Sequence, residues 1–402
     1  MKERKIFCLN NIDTAGTDRF RQGYSIVETI DEAAGILVRS AEMKDMIFPE
    51  GLRAIARAGT GVNNIPIDRC TEKGIVVFNT PGANANSVKE LVVCGMLLAS
   101  RDIIGGIKWV RDNKNETDIA VKTEKEKKNF AGHELSGKTI GVIGLGAVGG
   151  LVANAAHSLG MKVYGYDPYL SVKSAWHLSP MIIQADRPED VYAVSDYVTV
   201  HVPAMASTEG MIGEEALSRM KQGAVVLNFA RASLVDEEAM AEALISGKIK
   251  CYVSDFPNTI SSSMNNAIVI PHLGASTKEA EENCAVMAVE HLQDYLDNGN
   301  IHHSVNYPDV DLGKCKSDAR VAVLHRNIPN ILSKITAFFE ANGLSIDNMA
   351  NMSRGKYAYT LIDICSPMPH DIVGQFKAIE GVLRVRRLYE KTKNRDDSEV
   401  SD

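Results

Sequence analysis

The chain has 402 residues and a formal net charge of -7, a length that fits two or three domains and a balance with no general attraction for nucleic acid or anionic lipid. Its seven cysteines are scattered, odd in number and without CxxC spacing, which points to neither a disulfide framework nor a metal site. Met1-Lys2-Glu3-Arg4-Lys5 is too short and mixed to begin a signal peptide, and no apolar run has the length of a bilayer span, so the expected location is the cytoplasm.

From the N-terminus, a strand-like segment is followed by Gly35-Ile36-Leu37-Val38, Leu52-Arg53-Ala54-Ile55-Ala56 and Ile75-Val76-Val77-Phe78. These short apolar runs closed by turn residues predict parallel strands with connecting helices. Two of them lead into Val38-Arg39-Ser40 and Arg57-Ala58-Gly59-Thr60-Gly61. Strand ends of this kind are where open α/β sheets bind ligands. Taken singly, each cluster also fits a surface arginine and a structural glycine turn. Together, with backbone amides freed by Gly59 and Gly61, they suit an anionic substrate.

After Arg101 the sequence is helical and polar up to Asn129, and Lys122-Thr123-Glu124-Lys125-Glu126-Lys127-Lys128 reads as a solvated helix face. The apolar run Thr139–Ile143 then enters a GxGxxG turn at Gly144, Gly146 and Gly149. An alanine-rich helix follows, and a second strand, Val163–Tyr166, ends on Asp167. Strand, turn, helix and acid together meet the needs of a dinucleotide: a tight turn, close backbone approach to the pyrophosphate, helix amides aimed at it, and a carboxylate for the ribose. Pro168, Tyr169 and Leu170 follow Asp167 with no arginine for a 2′-phosphate, which favours NAD over NADP.

Four further strands, Tyr197 to Pro203, Ala224 to Phe229, Cys251 to Asp255 and Ile268 to His272, each end in polar or charged residues, and Arg231, Asp255 and His272 become candidates beside the nicotinamide. Interconversion of a 2-hydroxy and a 2-oxo acid needs a cation on the carboxylate and a group that moves the hydroxyl proton. Arg231 suits the first task through its planar fork, and His272 the second through its titration near neutrality. Asp255 could accept from the nicotinamide carboxamide or offset the positive ring.

In this order, VRS at 38–40, RAGTGV at 57–62, NTPGANANSVKEL at 79–91, GVIGLGAVG at 141–149, YDP at 166–168, VHVP at 200–203 and PHLGAST at 271–277 resemble the D-isomer-specific 2-hydroxyacid dehydrogenases, and within them the phosphoglycerate branch. The resemblance covers nearly the whole chain. It implies two Rossmann-like doubly wound domains: a discontinuous substrate domain (1–102 and 277–310) around an NAD domain (103–276). A capping box of Ser276 with Glu279 should start the return helix, which runs through Leu296. It also implies that Arg39, Ser40, Arg57, Asn84 and the Gly59, Thr60 and Gly61 segment receive the phosphate and carboxylate of 3-phosphoglycerate. Thr60, Ala147, Val148, Asp167, His201, Val202, Pro203, Phe229, Ala230, Asp255 and the run His272, Leu273, Gly274, Ala275 should border NAD. Two departures stand out. Similar enzymes pair the histidine with a glutamate a few residues after the strand ending here in Asp255, yet no glutamate occurs from Ala243 through Lys278. A carboxylate beside imidazole favours the charged form and fixes the ring, so its absence predicts weakened catalysis unless Asp255 or a water substitutes. Ala232 also stands where glycine usually follows the arginine.

From Asp318 the sequence reads strand, helix, strand, strand, helix, strand: Ala319 to His325, a helix ending at Gly343, Leu344 to Met352, Tyr357 to Ile364, a helix after Pro369, and Val382 to Tyr389. This ferredoxin-like unit, 319–390, resembles the ACT regulatory module. His325 and Asn327 match the positions that hold serine at a subunit interface in similar proteins, although Asn330 and Ser345 depart from the usual residues. The resemblance implies a homodimer or homotetramer with serine as effector. The polar residues 391–402 are expected to form a disordered tail.

Overall fold

A computed structural model describes residues 3–366, 368 and 372–390. The tail at 391–402 and the Pro369 helix signal lie outside these residues. The chain folds as two compact units, Met1–Ala83 with Glu281–Asp402, and Asn84–Ala280. Among the described residues there are three sheets, and no helix is long and apolar enough to cross a membrane.

In the first unit, β1 (Arg4–Cys8), β2 (Tyr24–Val27), β3 (Gly35–Val38), β4 (Ala54–Arg57) and β5 (Val76–Phe78) form a parallel sheet in the order β2-β1-β3-β4-β5. Strands buried on both faces are written as unbroken apolar runs, and β3 is buried at every position. The helix Lys278–Asn298 joins this sheet through Cys284, Ala288, Leu292 and Leu296. It starts one residue later than expected: the Thr277 hydroxyl accepts from the Ala280 amide at 3.2 Å, so Thr277 caps it in place of Ser276.

The same unit carries β13 (Ala319–Arg326), β14 (Ile346–Arg354), β15 (Tyr357–Ile364) and β16 (Val382–Glu390), an antiparallel sheet in the order β14-β15-β13-β16. On one face Val321, Val323 and Ile362 meet Ile335, Phe339 and Phe376 of its helices, Ile331–Ala341 and Ile372–Lys377. The other face is not solvated. Ala322, Leu324, Tyr359 and Leu361 share a core with Tyr295, Leu296 and the first sheet. Beside that core lies a buried ion pair, in which Arg320 Nη2 meets Asp363 Oδ2 at 2.8 Å while the guanidinium also donates to the carbonyls of Asn298 and Leu312. A buried pair needs such extra bonds to offset its desolvation.

In the second unit, β6 (Thr139–Ile143), β7 (Lys162–Tyr166), β8 (Ile183–Gln184), β9 (Tyr197–Val200), β10 (Ala224–Asn228), β11 (Ile249–Ser254) and β12 (Ala267–Val269) form a parallel sheet in the order β12-β11-β10-β9-β6-β7-β8. The strand order reverses at β6, so β6 and β9 flank the switch point where such sheets bind ligands. The helix Ala85–Ser100 covers one face through Val88, Val92 and Met96, so residues 84–102, which the sequence assigned to the substrate domain, group with this second unit.

Candidate functional site

The three glycines after β6 have three different reasons to be glycine. Gly144 has φ +88°, a left-handed turn that an L side chain resists. A Cβ on Gly146 would meet nothing within 4 Å, so this residue faces open space. A Cβ on Gly149 would stand 1.8 Å from the Gly144 carbonyl oxygen, so only glycine lets the helix Ala147–Ser158 lie against the turn. No side chain caps that helix at Gly146, which leaves the amides at Ala147, Val148 and Gly149 directed out of its first turn. Turn, open approach and close packing are what a pyrophosphate cradle requires.

Beside the turn lies a cavity of about 770 Å³, lined by Gly144, Gly146, Asp167, His201, Val202 and Pro203 among others. Asp167 faces it from the end of β7, with one carboxylate oxygen accepting from the Leu145 amide at 2.8 Å and the other from Tyr169 at 2.9 Å. These bonds hold the carboxylate at the turn and leave lone pairs for ribose hydroxyls. Burial pushes the His201 pKa down to about 3, so the ring is neutral, and its Nε2 lies 2.9 Å from the Thr199 hydroxyl.

At the other end of the same sheet edge, Asp255 is 1% exposed and follows β11. Its Oδ1 accepts from the Leu273 amide and its Oδ2 from the Gly274 amide, both at 2.7 Å. Burial raises its pKa and the two amide bonds oppose that shift. The carboxylate thus fastens the loop that presents His272. The Ser87 hydroxyl also donates to the Gly274 carbonyl at 2.8 Å, a contact no motif announced. Within this loop His272 has φ +56°, a strained conformation for a residue with a side chain. Its ring packs edge-on against Phe256, with centroids 5.2 Å apart. Among the described residues no carboxylate pairs with that ring. Where the glutamate of similar enzymes was sought, Asn258 donates to Glu237 Oε1 and Oε2 at 2.9 and 2.7 Å and accepts from the amides of Ile260 and Ser261.

Arg231 is exposed beyond β10 and extended, and the Asn228 side chain donates to its carbonyl at 2.8 Å. Ala232 has no positive φ and opens a single 3₁₀ turn, so its methyl group costs the backbone nothing there. Ala230 donates its amide to Asn228 Oδ1 at 3.2 Å, and Phe229 is buried against Gly95. Asn84 opens the helix Ala85–Ser100, and Ala275 is exposed just after the His272 loop.

In the first unit the substrate candidates gather at the ends of β1, β3 and β4. Arg57 Nε donates to the Arg39 carbonyl at 2.8 Å, and its Nη1 also bonds the Gly61 carbonyl. The Arg39 amide donates to Asn10 Oδ1 at 2.9 Å, and Asn10 reaches the Ser40 hydroxyl at 3.5 Å. Asn79 fixes Thr60 through its carbonyl at 2.6 Å, and the Gly59 carbonyl accepts from Thr80. The Arg39 guanidinium pairs with Glu281, a partner 242 residues away that no motif signals. Asn10 could have been found from the sequence, since it lies two residues after β1.

In the C-terminal sheet, His325 is buried with Nδ1 2.9 Å from the Arg326 carbonyl and Nε2 2.8 Å from the Thr360 hydroxyl, and burial lowers its pKa. Asn327 donates to the Gly355 carbonyl at 3.2 Å.

Residues 93–274 match the family model described as the D-isomer specific 2-hydroxyacid dehydrogenase, NAD binding domain. A D-3-phosphoglycerate dehydrogenase of Haemophilus influenzae is 31% identical over 346 residues, which is 82% of this chain and 79% of that one. The chain belongs to the D-isomer specific 2-hydroxyacid dehydrogenase family. The D-3-phosphoglycerate dehydrogenase of Methanocaldococcus jannaschii is 36% identical over 315 residues, 75% of this chain. This chain spans 58% of that relative's length and 54% of the Archaeoglobus fulgidus one. Among solved structures, NAD+-bound 3-phosphoglycerate dehydrogenase of Entamoeba histolytica superposes with a TM-score of 0.59 at 26% identity, covering 76% of this chain and 99% of that one. A glyoxylate reductase from Paecilomyes thermophila, at 22% identity and TM-score 0.62, shares the fold, covering 76% of this chain and 99% of its own.

Proposed function

We propose that this chain is an NAD-dependent dehydrogenase that oxidises 3-phospho-D-glycerate to 3-phosphooxypyruvate, the first step of the phosphorylated route to serine. The observation that carries the substrate is the pair of strand-end arginines: Arg57 is fastened to the Arg39 carbonyl, so two guanidinium groups stand at adjacent ends of one sheet. With Arg231 on the carboxylate, an unphosphorylated 2-hydroxy acid leaves this pair without a task, and a phosphate supplies one. Ser40, Asn84 and the Gly59, Thr60 and Gly61 segment complete the anion's partners.

In the reaction Arg231 holds the substrate carboxylate and polarises the C2 oxygen. His272 takes the hydroxyl proton as the C2–H bond breaks and the carbonyl forms. The glycine turn, Asp167 and the segment after β9 would hold NAD, which when bound would supply the acceptor for the hydride from C2. Asp255 works through the backbone, and Phe256 supplies the ring orientation that a glutamate gives similar enzymes. That substitution predicts lower turnover, because an aromatic edge orients an imidazole without stabilising its charge.

The test follows NADH formation with 3-phospho-D-glycerate and a trap for the product, against reduction of glyoxylate and hydroxypyruvate by NADH. Arg39→Ala should raise KM for the phosphorylated substrate at least tenfold and leave glyoxylate nearly untouched. Equal kcat/KM for phosphorylated and unphosphorylated substrates would reassign the chain to another 2-hydroxyacid.

We also propose that 319–390 is an ACT-type regulatory module through which copies of the chain associate as a homodimer or homotetramer. The support is its βαββαβ order and antiparallel sheet.

A further inference from the structure

Where the C-terminal sheet meets the segment before β4, the first unit has an open cleft of about 420 Å³ lined by Glu50, Gly51, Arg53, Lys377 and the residues Val382 to Val385. Its charge is unbalanced. Arg384 donates to the carbonyls of Leu52 and Glu50, and Arg53 donates to the Glu50 carbonyl at 2.8 Å. Behind them Arg386 is buried over the Tyr295 ring, 4.3 Å from its centroid, and donates to the carbonyls of Tyr295 and Leu296. Among the described residues none of these three arginines, nor Lys377, has a carboxylate within ion-pair distance. Glu50 acts on Arg53 only at longer range.

The guanidinium groups of Arg53, Arg384 and Arg386 act on one another. Burial, reinforced by these neighbours, pushes the Arg384 pKa down to about 10 and lowers that of Arg53. Like charges gathered in a half-buried cleft without ion-paired partners repel one another, and an anion in the space relieves that repulsion. The guanidinium groups are held by backbone carbonyls, which fix their directions and leave further N–H groups for a ligand.

We infer that this cleft is an anion site for a small phosphate-bearing ligand, held by Arg53, Lys377 and Arg384 and separate from the Arg39 and Arg57 pair. Its size is in the range of small-ligand pockets. Its position gives it a consequence: Arg53 immediately precedes β4, and the last residue of β4 is Arg57. An occupant would join the C-terminal module to the strand that carries a substrate arginine.

The experiment titrates inorganic phosphate, and separately glycerol 3-phosphate, into the full chain carrying Arg39→Ala, at ionic strength held constant with sodium chloride. Calorimetry and thermal unfolding are the readouts, and Arg39→Ala weakens phosphate binding at the proposed substrate position. A saturating signal with a Tm rise of about 2 °C is expected at ten times Kd. Adding Lys377→Met, which alters an exposed side chain, or Arg53→Met should weaken the binding at least fivefold. The tighter of the two probes distinguishes free phosphate from an organic ester. Loss of all phosphate binding with Arg39→Ala alone, or affinity unchanged in both double variants, overturns the inference and leaves the dehydrogenase reading standing.

Discussion

Asp255→Asn separates two readings of a buried carboxylate. In the structure each oxygen accepts one backbone amide, from Leu273 and Gly274, both at 2.7 Å. The isosteric amide keeps one acceptor and turns an NH₂ toward the other N–H. One charge-assisted hydrogen bond is lost, worth about 1.5–3 kcal/mol, and a buried donor is left facing a donor. The loop can shift to relieve part of this, so a net loss of about 2–3 kcal/mol in holding the His272 geometry is expected. At 1.4 kcal/mol per tenfold, turnover should fall roughly thirty- to hundredfold. NADH affinity, followed by its fluorescence on binding, should change less than about threefold, because no Asp255 oxygen is directed at the cofactor in this account. Turnover within threefold of the unaltered chain, or a loss residing wholly in NADH affinity, would refute the reasoning and return Asp255 to the nicotinamide.

Gly146→Val should weaken NADH binding at least tenfold with little change in Tm, since its side chain enters open space, whereas Gly149→Ala should lower Tm as well, since its Cβ meets the Gly144 carbonyl at 1.8 Å; equal effects on Tm would contradict the division of roles. Acid should destabilise both units. The folded pKa values of His201, about 3, and His291, about 4, lie below the unfolded value near 6.5, so below that pH the unfolded chain takes up protons that the folded chain refuses. Stability is then lost as pH falls from about 6.5 toward 4, by up to about 1.4 kcal/mol per unit for each ring. Thermal melts from pH 7.5 to 5 measure this, and a flat Tm would count against both half-buried neutral rings. Serine titrated by calorimetry should give heat that Asn327→Ala abolishes; no heat in the unaltered chain would remove serine as an effector of the C-terminal module.

Much of the fold was legible because parallel strands buried on both faces are written as unbroken apolar runs: the central β6, β3 and β4, and the edge strand β5, itself buried at all three positions, fell within two residues of expectation. An exposed edge strand carries no such signal. β8 is two exposed residues, Ile183 and Gln184, and no sequence pattern marks it. The C-terminal module was legible as βαββαβ but not its covered second face, although a clue existed: β13 is buried at seven successive positions, where a sheet with one wet face would alternate. The glycine turn and Asp167 could be read directly because their spacing is local. Contacts between distant segments could not. The Arg39–Glu281 pair, the Asp255 grip on the His272 loop and the Asn258–Glu237 tie all join residues whose proximity only the folded chain creates. The sequence has no glutamate from Ala243 through Lys278, but nothing in it marks Phe256 as standing against the His272 ring.

The most direct test of the whole account is a paired measurement on His272→Asn: NADH binding by fluorescence, and NADH formation from NAD and 3-phospho-D-glycerate with the product trapped. The account predicts NADH affinity within about threefold of the unaltered chain and turnover reduced at least a hundredfold. Undiminished turnover in that variant, or no NADH formation by the unaltered chain at any pH from 6 to 9, would contradict it.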